Sequence, residues 1–339
     1  MQALVYNGPG EVKMTGVPRP QIGPGQARVR INRCALSDFD LGVYRGENPR
    51  ARPPLIPGHE FIGVVEETAP EVEGVAPGDR VAVYPLVVCG QCPSCRSSSF
   101  QLCQKLQVLG ADVDGGLAEY AVAPEEALFI LPPTLSETAA AMIEPLASVI
   151  RSLHQSRFVA LDSALIIGAG APGLLTGLML REGGASRIVI ADADPRRLAL
   201  AGYFGLEPVD LSSADLTDYL SRVTDGQGVD TAYECGGPLP LLSLIRLVKA
   251  GGDICLTSVT DRPQVINPGD VAAREVRLTG ARYYSRREFE SAVLYAEMLG
   301  LELEKMVTHI VPLSEAAGVF DLMADTDLRP LKVQVDCRA

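Results

Sequence analysis

The sequence lacks a net positive charge, an apolar run of membrane-spanning length and a basic N-terminal flank followed by an apolar stretch. Its 339 residues include 30 Lys and Arg against 42 Asp and Glu, so the formal net charge is −12. That charge argues against binding to phosphate backbones or anionic membranes, because like charges repel. The longest mostly apolar run, residues 164–180, is broken by glycine and proline and is shorter than the ~20 residues of a membrane span. The N-terminus has neither a basic flank nor a long apolar stretch, so we expect no signal peptide and a cytoplasmic protein.

Histidine is scarce, with three residues in the chain, whereas glycine, proline and cysteine are well represented. The 33 glycines and 25 prolines suit an α/β protein with many turns, and the length is sufficient for two domains with their own cores. Four of the eight cysteines fall between residues 89 and 103. In a cytoplasmic protein such clustering favours a metal site over disulfides.

Two patterns divide the chain. Before about residue 130, short β-branched runs separated by Pro-Gly turns indicate a β-rich region. Beyond residue 136, strand-like and helix-like segments alternate, which is typical of a parallel sheet with crossover helices. The last fifty residues mix helices and strands and are expected to pack on the first domain. We therefore predict an α/β protein of two domains, the first of them completed by the C-terminal residues.

The stretch ALIIGAGAPGLL predicts a dinucleotide-binding turn. An apolar strand leads through Gly168, Gly170, Ala171 and Gly173 into an apolar helix that continues at Leu174. In this pattern the first glycine permits the tight turn, the second admits a pyrophosphate and the third allows close packing of helix and strand. The free N–H groups of the helix start then face the phosphates. The alternative is a glycine-rich turn in an α/β domain that binds no dinucleotide.

Asp192 ends the next predicted strand, RIVIADAD, and lies where an acid contacts the adenosine ribose. A carboxylate there accepts hydrogen bonds from the ribose hydroxyls and repels a 2′-phosphate, so we predict NAD(H) rather than NADP(H). Arg197 is a further candidate for contact with that ribose. Asp192 as a helix cap and Arg197 as a solvated helix residue are the alternatives.

The cysteine spacing predicts one structural zinc ion. Cys89, Cys92, Cys95 and Cys103 can surround an ion with four thiolates, and such a closed tetrahedral set leaves no position for a substrate. Two disulfides or an iron–sulfur cluster are the alternatives, and nothing else in the chain suggests electron transfer.

Together these motifs resemble the medium-chain dehydrogenase/reductase superfamily, in its zinc alcohol and polyol dehydrogenase branch. The matching segments run along the whole chain and include PGHEFIGVVEE, PGDRV, DGGLAEY, IEPLA and HIVPLSEAAGVFDLM. The resemblance implies a GroES-like catalytic domain (1–145 and 285–339, with the zinc lobe at 89–103) and a Rossmann domain (146–284). It also implies an active site in the cleft between the domains and assembly as a homodimer or homotetramer.

One stretch departs from the family pattern. The family's catalytic zinc ligand is a Cys, and it falls on Ser37 when VRINRCALSDFDLGVYRG is aligned without a gap. The family's proton-relay Ser or Thr falls on Phe39, and the relay His falls on Gly42. Cys34 lies three residues too early, so we interpret it as a small buried residue. Its use as a ligand through a shifted chain is the alternative.

The remaining family ligands, His59, Glu60 and Glu144, are present but could hold a metal only weakly through nitrogen and oxygen. Asp40 matches an Asp that orients the ligand His, and beside a metal-free His59 it would favour the imidazolium. We therefore predict that His59 donates a proton to the substrate oxygen and that Ser37 hydrogen-bonds the same oxygen. Glu60 and Glu144 are candidates for binding substrate hydroxyls. The alternative is that His59 is a vestigial polar residue.

These residues predict an NADH-dependent reductase of a polyhydroxylated ketone or enone, similar to cyclitol reductases, with one structural zinc and a doubtful catalytic zinc. Loss of both the zinc ligand and the relay hydroxyl penalises simple alcohol oxidation more than reduction. Three alternatives stay open. They are a zinc-dependent polyol dehydrogenase with a remodelled ligand loop, a catalytically decayed NAD-binding protein, and a lyase or epimerase that uses NAD transiently.

Overall fold

The β-branched runs and Pro-Gly turns of the first third of the chain produce a set of short strands. The computed structural model describes residues 1–237, 239–257 and 263–338. Residues 1–144 and those from 285 onward cluster into one unit, and residues 145–284 form a second. Up to residue 140 the elements are β1 (Gln2–Gly8), β2 (Glu11–Gly16), β3 (Gln26–Leu36), α1 (Asp38–Tyr44), β4 (Glu60–Thr68), β5 (Arg80–Val83), β6 (Leu86–Val87), α2 (Pro93–Arg96), β7 (Gln107–Val108), β8 (Tyr120–Pro124), β9 (Leu128–Ile130) and α3 (Glu137–Ala140).

The second unit alternates strands and helices, as the sequence pattern predicts. Helix α4 (Ile143–Gln155) leads into the second unit. The helices of this unit begin at capping residues such as Gly170 and Asp194. The following elements are β10 (Ser163–Ile167), α5 (Ala171–Glu182), β11 (Arg187–Asp192), α6 (Pro195–Tyr203), β12 (Glu207–Asp210), α7 (Leu216–Val223), β13 (Val229–Glu234), α8 (Leu241–Leu247), β14 (Val248–Leu256), α9 (Pro268–Arg274) and β15 (Arg277–Gly280).

The C-terminal segment returns to the first unit. Its first helix begins with a capping box between Ser285 and Glu288. The elements are α10 (Arg286–Met298), α11 (Gly300–Met306), β16 (His309–Pro312), α12 (Val319–Ala324) and β17 (Val333–Asp336). Among the helices of the described ranges, none is both long and apolar enough to cross a bilayer.

The second unit contains a six-stranded parallel sheet in the order β12-β11-β10-β13-β14-β15. The order reverses direction after β10, which is the doubly wound arrangement of dinucleotide-binding folds. The middle residues of its central strands are apolar, and Leu165, Val189 and Ile254 are fully buried, as expected for a parallel sheet. The predicted Rossmann-type fold is confirmed.

The first unit is built around strand β3. In its main sheet the order is β16-β17-β3-β4-β5-β9, and β8 also pairs with β3. Strand β3 runs antiparallel to β4, β8 and β17. The start of β4 and the start of β17 therefore lie on either side of the C-terminal end of β3, where Ala35 pairs with both Glu60 and Gln334. This junction positions the candidate site.

Candidate active site

The end of β3 and the start of α1 place the first site residues. Ser37 is the N-cap of α1, and its Oγ accepts a hydrogen bond from the backbone N–H of Phe39 at 3.2 Å. Asp40 completes a capping box, because its Oδ2 accepts a hydrogen bond from the backbone N–H of Ser37 at 2.9 Å. The Ser37 hydroxyl donates to the same oxygen at 3.1 Å. The Ser37 side chain is therefore engaged with its own helix and with Asp40.

Asp40 and His59 form a buried pair. Asp40 is fully buried, His59 is 7% exposed, and Oδ1 of Asp40 lies 3.1 Å from Nδ1 of His59. Burial by itself would lower the pKa of His59, but the carboxylates of Asp40, Glu144 and Glu60 raise that pKa to about 10. Burial opposes ionisation of Asp40 as well, yet the neighbouring His59 lowers its pKa overall. The surrounding carboxylates therefore favour the imidazolium form of His59, which has a proton on both ring nitrogens.

The other ring nitrogen of His59 faces two carboxylates. Its Nε2 lies 3.8 Å from Oε1 of Glu144 and 4.0 Å from Oε1 of Glu60. One donor atom from each of His59, Glu60 and Glu144 lies within 4.8 Å of the other two. This group is compact enough for a metal ion. Both separations exceed a hydrogen bond. The structure thus brings together Asp40, His59, Glu60 and Glu144, with Ser37 behind Asp40.

Lys332 is a site residue that the sequence analysis missed. Its Nζ lies 2.5 Å from Oε2 of Glu60, and the two side chains are 4% and 1% exposed. A buried lysine is rare unless it is paired. In the sequence its only signal is a cation directly before the short strand β17, VQVD, and nothing local to Lys332 points to Glu60.

Cys34 lies outside this group. It is fully buried within β3, where it pairs with Phe61 of β4 and Val335 of β17. A Cβ added to Gly58 would lie 2.7 Å from its Sγ, so the thiol packs against the turn that precedes His59. Burial raises the pKa of the Cys34 thiol well above its ordinary value. Its surroundings are those of a small apolar residue.

The two positions that match the family's proton relay carry no relay group here. Phe39 packs its ring on His59 with the centroids 4.8 Å apart and the planes at 58°. Gly42 lies within α1 and has no side chain to offer. The ring of Phe39 instead covers part of the imidazole.

The four cysteines of the lobe form the second metal group. Sγ–Sγ distances are 3.5 Å for Cys92–Cys95, 3.5 Å for Cys89–Cys103 and 3.9 Å for Cys89–Cys95. Four thiolates at Zn–S distances of ~2.3 Å stand about 3.8 Å apart at the corners of a tetrahedron. The observed distances therefore fit a structural zinc, and these four residues would hold it.

The glycine turn of the second unit has the geometry of a dinucleotide site. Gly168 has φ +101°, and a Cβ added to Gly173 would lie 1.8 Å from the carbonyl oxygen of Gly168. Neither position tolerates a side chain. Gly170 is the N-cap of α5 and provides no side-chain cap for the first turn, which contains Ala171 and Leu174. The N–H groups of this turn can therefore bind a pyrophosphate.

Asp192 ends β11 next to this turn. Its Oδ2 accepts a hydrogen bond from the backbone N–H of Ala169 at 2.6 Å, and its Oδ1 accepts from Ala193 at 2.7 Å and from Asp194 at 2.8 Å. These bonds fix the carboxylate at the end of the strand. Arg197 is also near the turn, since a Cβ added to Gly170 would lie 4.0 Å from its Nη1.

Comparison with known proteins places these two units in one family. Residues 23–133 match the alcohol dehydrogenase GroES-like domain, and residues 172–297 match the zinc-binding dehydrogenase model. The chain is 31% identical over 300 residues to L-idonate 5-dehydrogenase of Vitis vinifera, covering 86% of this chain and 82% of that protein. It is 30% identical over 317 residues to L-threonine 3-dehydrogenase of Yersinia pestis (strain Pestoides F), covering 91% and 92%.

The fold agrees with these relatives. The crystal structure of a protein described as a zinc-binding dehydrogenase, from Sinorhizobium meliloti 1021 and bound to NADP, gives a TM-score of 0.92 at 29% identity and covers 99% of this chain and 98% of that one. Fold and site together define an oxidoreductase that uses a nicotinamide dinucleotide. The chain belongs to the zinc-binding alcohol dehydrogenase family of the medium-chain dehydrogenase/reductase superfamily. The predicted family, GroES-like and Rossmann fold, class of enzyme and structural zinc are thereby confirmed.

Proposed function

We propose that this protein is an NADH-dependent reductase that works without a catalytic zinc. Its substrate is a polyhydroxylated ring ketone or an enone. The proposal rests on the hydrogen bonding of Ser37, the residue at the position where the family has a thiolate ligand. Its hydroxyl caps α1 and donates to Asp40, so it is committed within the protein.

The donor set does not fit the family's catalytic zinc. His59, Glu60 and Glu144 offer one nitrogen and carboxylate oxygens but no thiolate. Zinc sites favour nitrogen, thiolate and carboxylate in a closely defined tetrahedron, and a neutral serine is a poor ligand. Glu60 is in addition ion-paired with Lys332. The compact spacing of the three donor atoms is what favours the second candidate, a zinc-dependent polyol dehydrogenase with a remodelled ligand loop.

His59 supplies the proton in this proposal. NADH supplies the hydride when it is bound. The substrate oxygen accepts a hydrogen bond from Nε2 of His59, and transfer of that proton leaves a neutral imidazole whose Nδ1–H still faces Asp40. One hydride and one proton convert the carbonyl into an alcohol. In an enone the hydride adds to the β-carbon and the same proton neutralises the enolate.

Three surrounding groups shape the site around His59. Phe39 covers part of the imidazole at the position where the family has a relay hydroxyl, so the proton is supplied by His59 without that relay. The oxygens of Glu60 and Glu144 that face His59 stand 4.0 and 3.8 Å from Nε2, so a substrate hydroxyl can accept or donate hydrogen bonds among them. A relative named for L-idonate, itself a polyhydroxylated compound, supports this substrate class.

The cofactor preference rests on Asp192. Its carboxylate is fixed by three backbone N–H groups and is in position to accept from ribose hydroxyls. A 2′-phosphate would be repelled there. We therefore infer NADH rather than NADPH, even though the Sinorhizobium meliloti structure contains NADP. Assembly as a homodimer or homotetramer and a cytoplasmic location stay predictions.

The test is turnover of NADH with cyclic polyhydroxylated ketones and with enones, comparing wild type with His59→Gln. General acid catalysis contributes ~10²–10⁴-fold, so kcat should fall by that factor while NADH still binds. A catalytically decayed protein would bind NADH and turn over nothing. A lyase or epimerase would retain cofactor tightly and show no net NADH consumption.

A further inference from the structure

Lys332 is a buried cation that the reaction as proposed above does not use. Its backbone is fixed at the start of β17, where its carbonyl accepts from the backbone N–H of Thr308 at 2.9 Å and from the Thr308 hydroxyl at 3.1 Å. Its side chain is 4% exposed and ends 2.5 Å from Oε2 of Glu60. The ammonium is thus held against one particular oxygen of one carboxylate.

Stability alone does not explain this ion pair. Taking two charges out of water is costly, and apolar side chains of similar volume often serve a protein interior equally well or better. The position of the pair offers a better reason. Glu60 presents Oε2 to Lys332, while its Oε1 lies 4.0 Å from Nε2 of His59, beyond hydrogen-bond distance.

The spacing matters because Nε2 of His59 must stay available to the substrate. A carboxylate that closed on this nitrogen would form a short charge-assisted hydrogen bond of ~2.8 Å and would occupy the donor. The ion pair with Lys332 restrains Glu60 from that movement. The other ring nitrogen is already bonded to Asp40, so Nε2 is the nitrogen left for chemistry.

We propose that Lys332 is a positioning residue, whose ammonium holds Oε2 of Glu60 and keeps that carboxylate from closing on Nε2 of His59. This inference rests on the proposed function, in which Nε2 supplies the proton. In this proposal the carboxylate of Glu60 is held in position beside the substrate. Lys332 belongs to the reductase site, although it touches neither the substrate nor the reacting atoms.

The experiment is Lys332→Met, examined by crystallography and by steady-state kinetics with NADH and a cyclic ketone. The distance from Oε1 of Glu60 to Nε2 of His59 should shorten from 4.0 Å to about 2.8 Å. We expect kcat per NADH-binding site to fall about 10- to 100-fold, within the range for a general acid. KM should change by less than about threefold, since the substrate-binding groups remain.

A double-mutant cycle separates positioning from a general structural effect. In a Glu60→Gln background there is no carboxylate to close on His59, so adding Lys332→Met should lower kcat by less than about threefold. The matched control is Lys249→Met, which removes an ion pair with Asp230 at 2.7 Å in the second unit. That control should leave kcat unchanged. If Lys332→Met does not fold, Lys332→Gln removes the charge with a polar side chain, and the same two measurements apply.

The outcomes are distinguishable. An unchanged Glu60–His59 distance, or a kcat loss of equal size in both Glu60 backgrounds, would overturn the role of Lys332 while leaving the reductase proposal standing. A wild type that turns over no ketone or enone would refute the proposed function, and the crystallographic distance would still test the restraint on Glu60.

Discussion

The pH dependence of the reductase should report the Asp40–His59 pair, and Asp40→Asn is the sharpest perturbation of it. The pKa of His59 is raised from 6.5 to about 10. At ~1.4 kcal/mol per pH unit this corresponds to about 5 kcal/mol in favour of the imidazolium. Asp40 makes the largest contribution to the rise, through its charge and through the 3.1 Å contact with Nδ1. Without that charge, burial should lower the pKa of His59 below its wild-type value, against the remaining pull of Glu144 and Glu60.

The assay is NADH oxidation at saturating substrate across pH 6–10.5. In the wild type, kcat should be flat through neutral pH and fall only near pH 10, where His59 loses its proton. In Asp40→Asn the falling limb should move to lower pH, because the Asp40 charge is lost while Glu144 and Glu60 still face His59. Asp38→Asn is the matched control, because Asp38 lies in the same first helical turn but is exposed. A falling limb that does not move in Asp40→Asn would refute the assignment of His59 as the proton donor.

The same pair predicts the pH dependence of stability. Because the folded pKa of His59 lies above the ordinary 6.5, its stabilising contribution is fully present below about pH 6.5 and is lost as pH rises through about 10. The free energy of unfolding, measured with denaturant, should therefore decline over that window more steeply in the wild type than in Asp40→Asn. Equal declines in the two proteins would contradict the coupling.

Further predictions concern the zinc lobe and the cofactor. Cys95→Ser should abolish zinc binding at the lobe and lower Tm, whereas Cys34→Ser should leave the zinc content unchanged because Cys34 lies outside the cluster; a zinc loss in Cys34→Ser would contradict that placement. Asp192→Ser should lower the ratio of kcat/KM for NADH to that for NADPH by at least about 10-fold, since each 1.4 kcal/mol of lost discrimination is tenfold. An unchanged ratio would show that Asp192 does not read the ribose.

The parts of the fold and site that depend on local sequence could be predicted. Two sites are formed by residues that lie close together in the sequence, the glycine turn around Gly168 and the cysteine cluster around Cys92. Their spacing alone therefore predicts their geometry. Asp40 and His59 were identified only through the family resemblance, because they lie on different elements. No periodicity in the sequence relates these two residues.

Two features of the site escaped the sequence analysis for different reasons. The predicted bond from Ser37 to the substrate oxygen stays a prediction, but the helix-capping role of this residue was missed. Its segment, Ser-Asp-Phe-Asp, is a capping-box pattern, and the structure shows the hydroxyl used in that way. That local signal was available. The pairing of Lys332 with Glu60 was not, because it depends on β17 and β4 both pairing with β3.

The central claim, reduction without a catalytic zinc, is tested most directly by counting zinc in active enzyme purified without added metal. Elemental analysis and NADH oxidation should be measured on the same preparation. The four-cysteine cluster predicts about one zinc per chain in fully active protein. About two zinc ions per chain, with activity lost in proportion when the second is removed, would contradict the account.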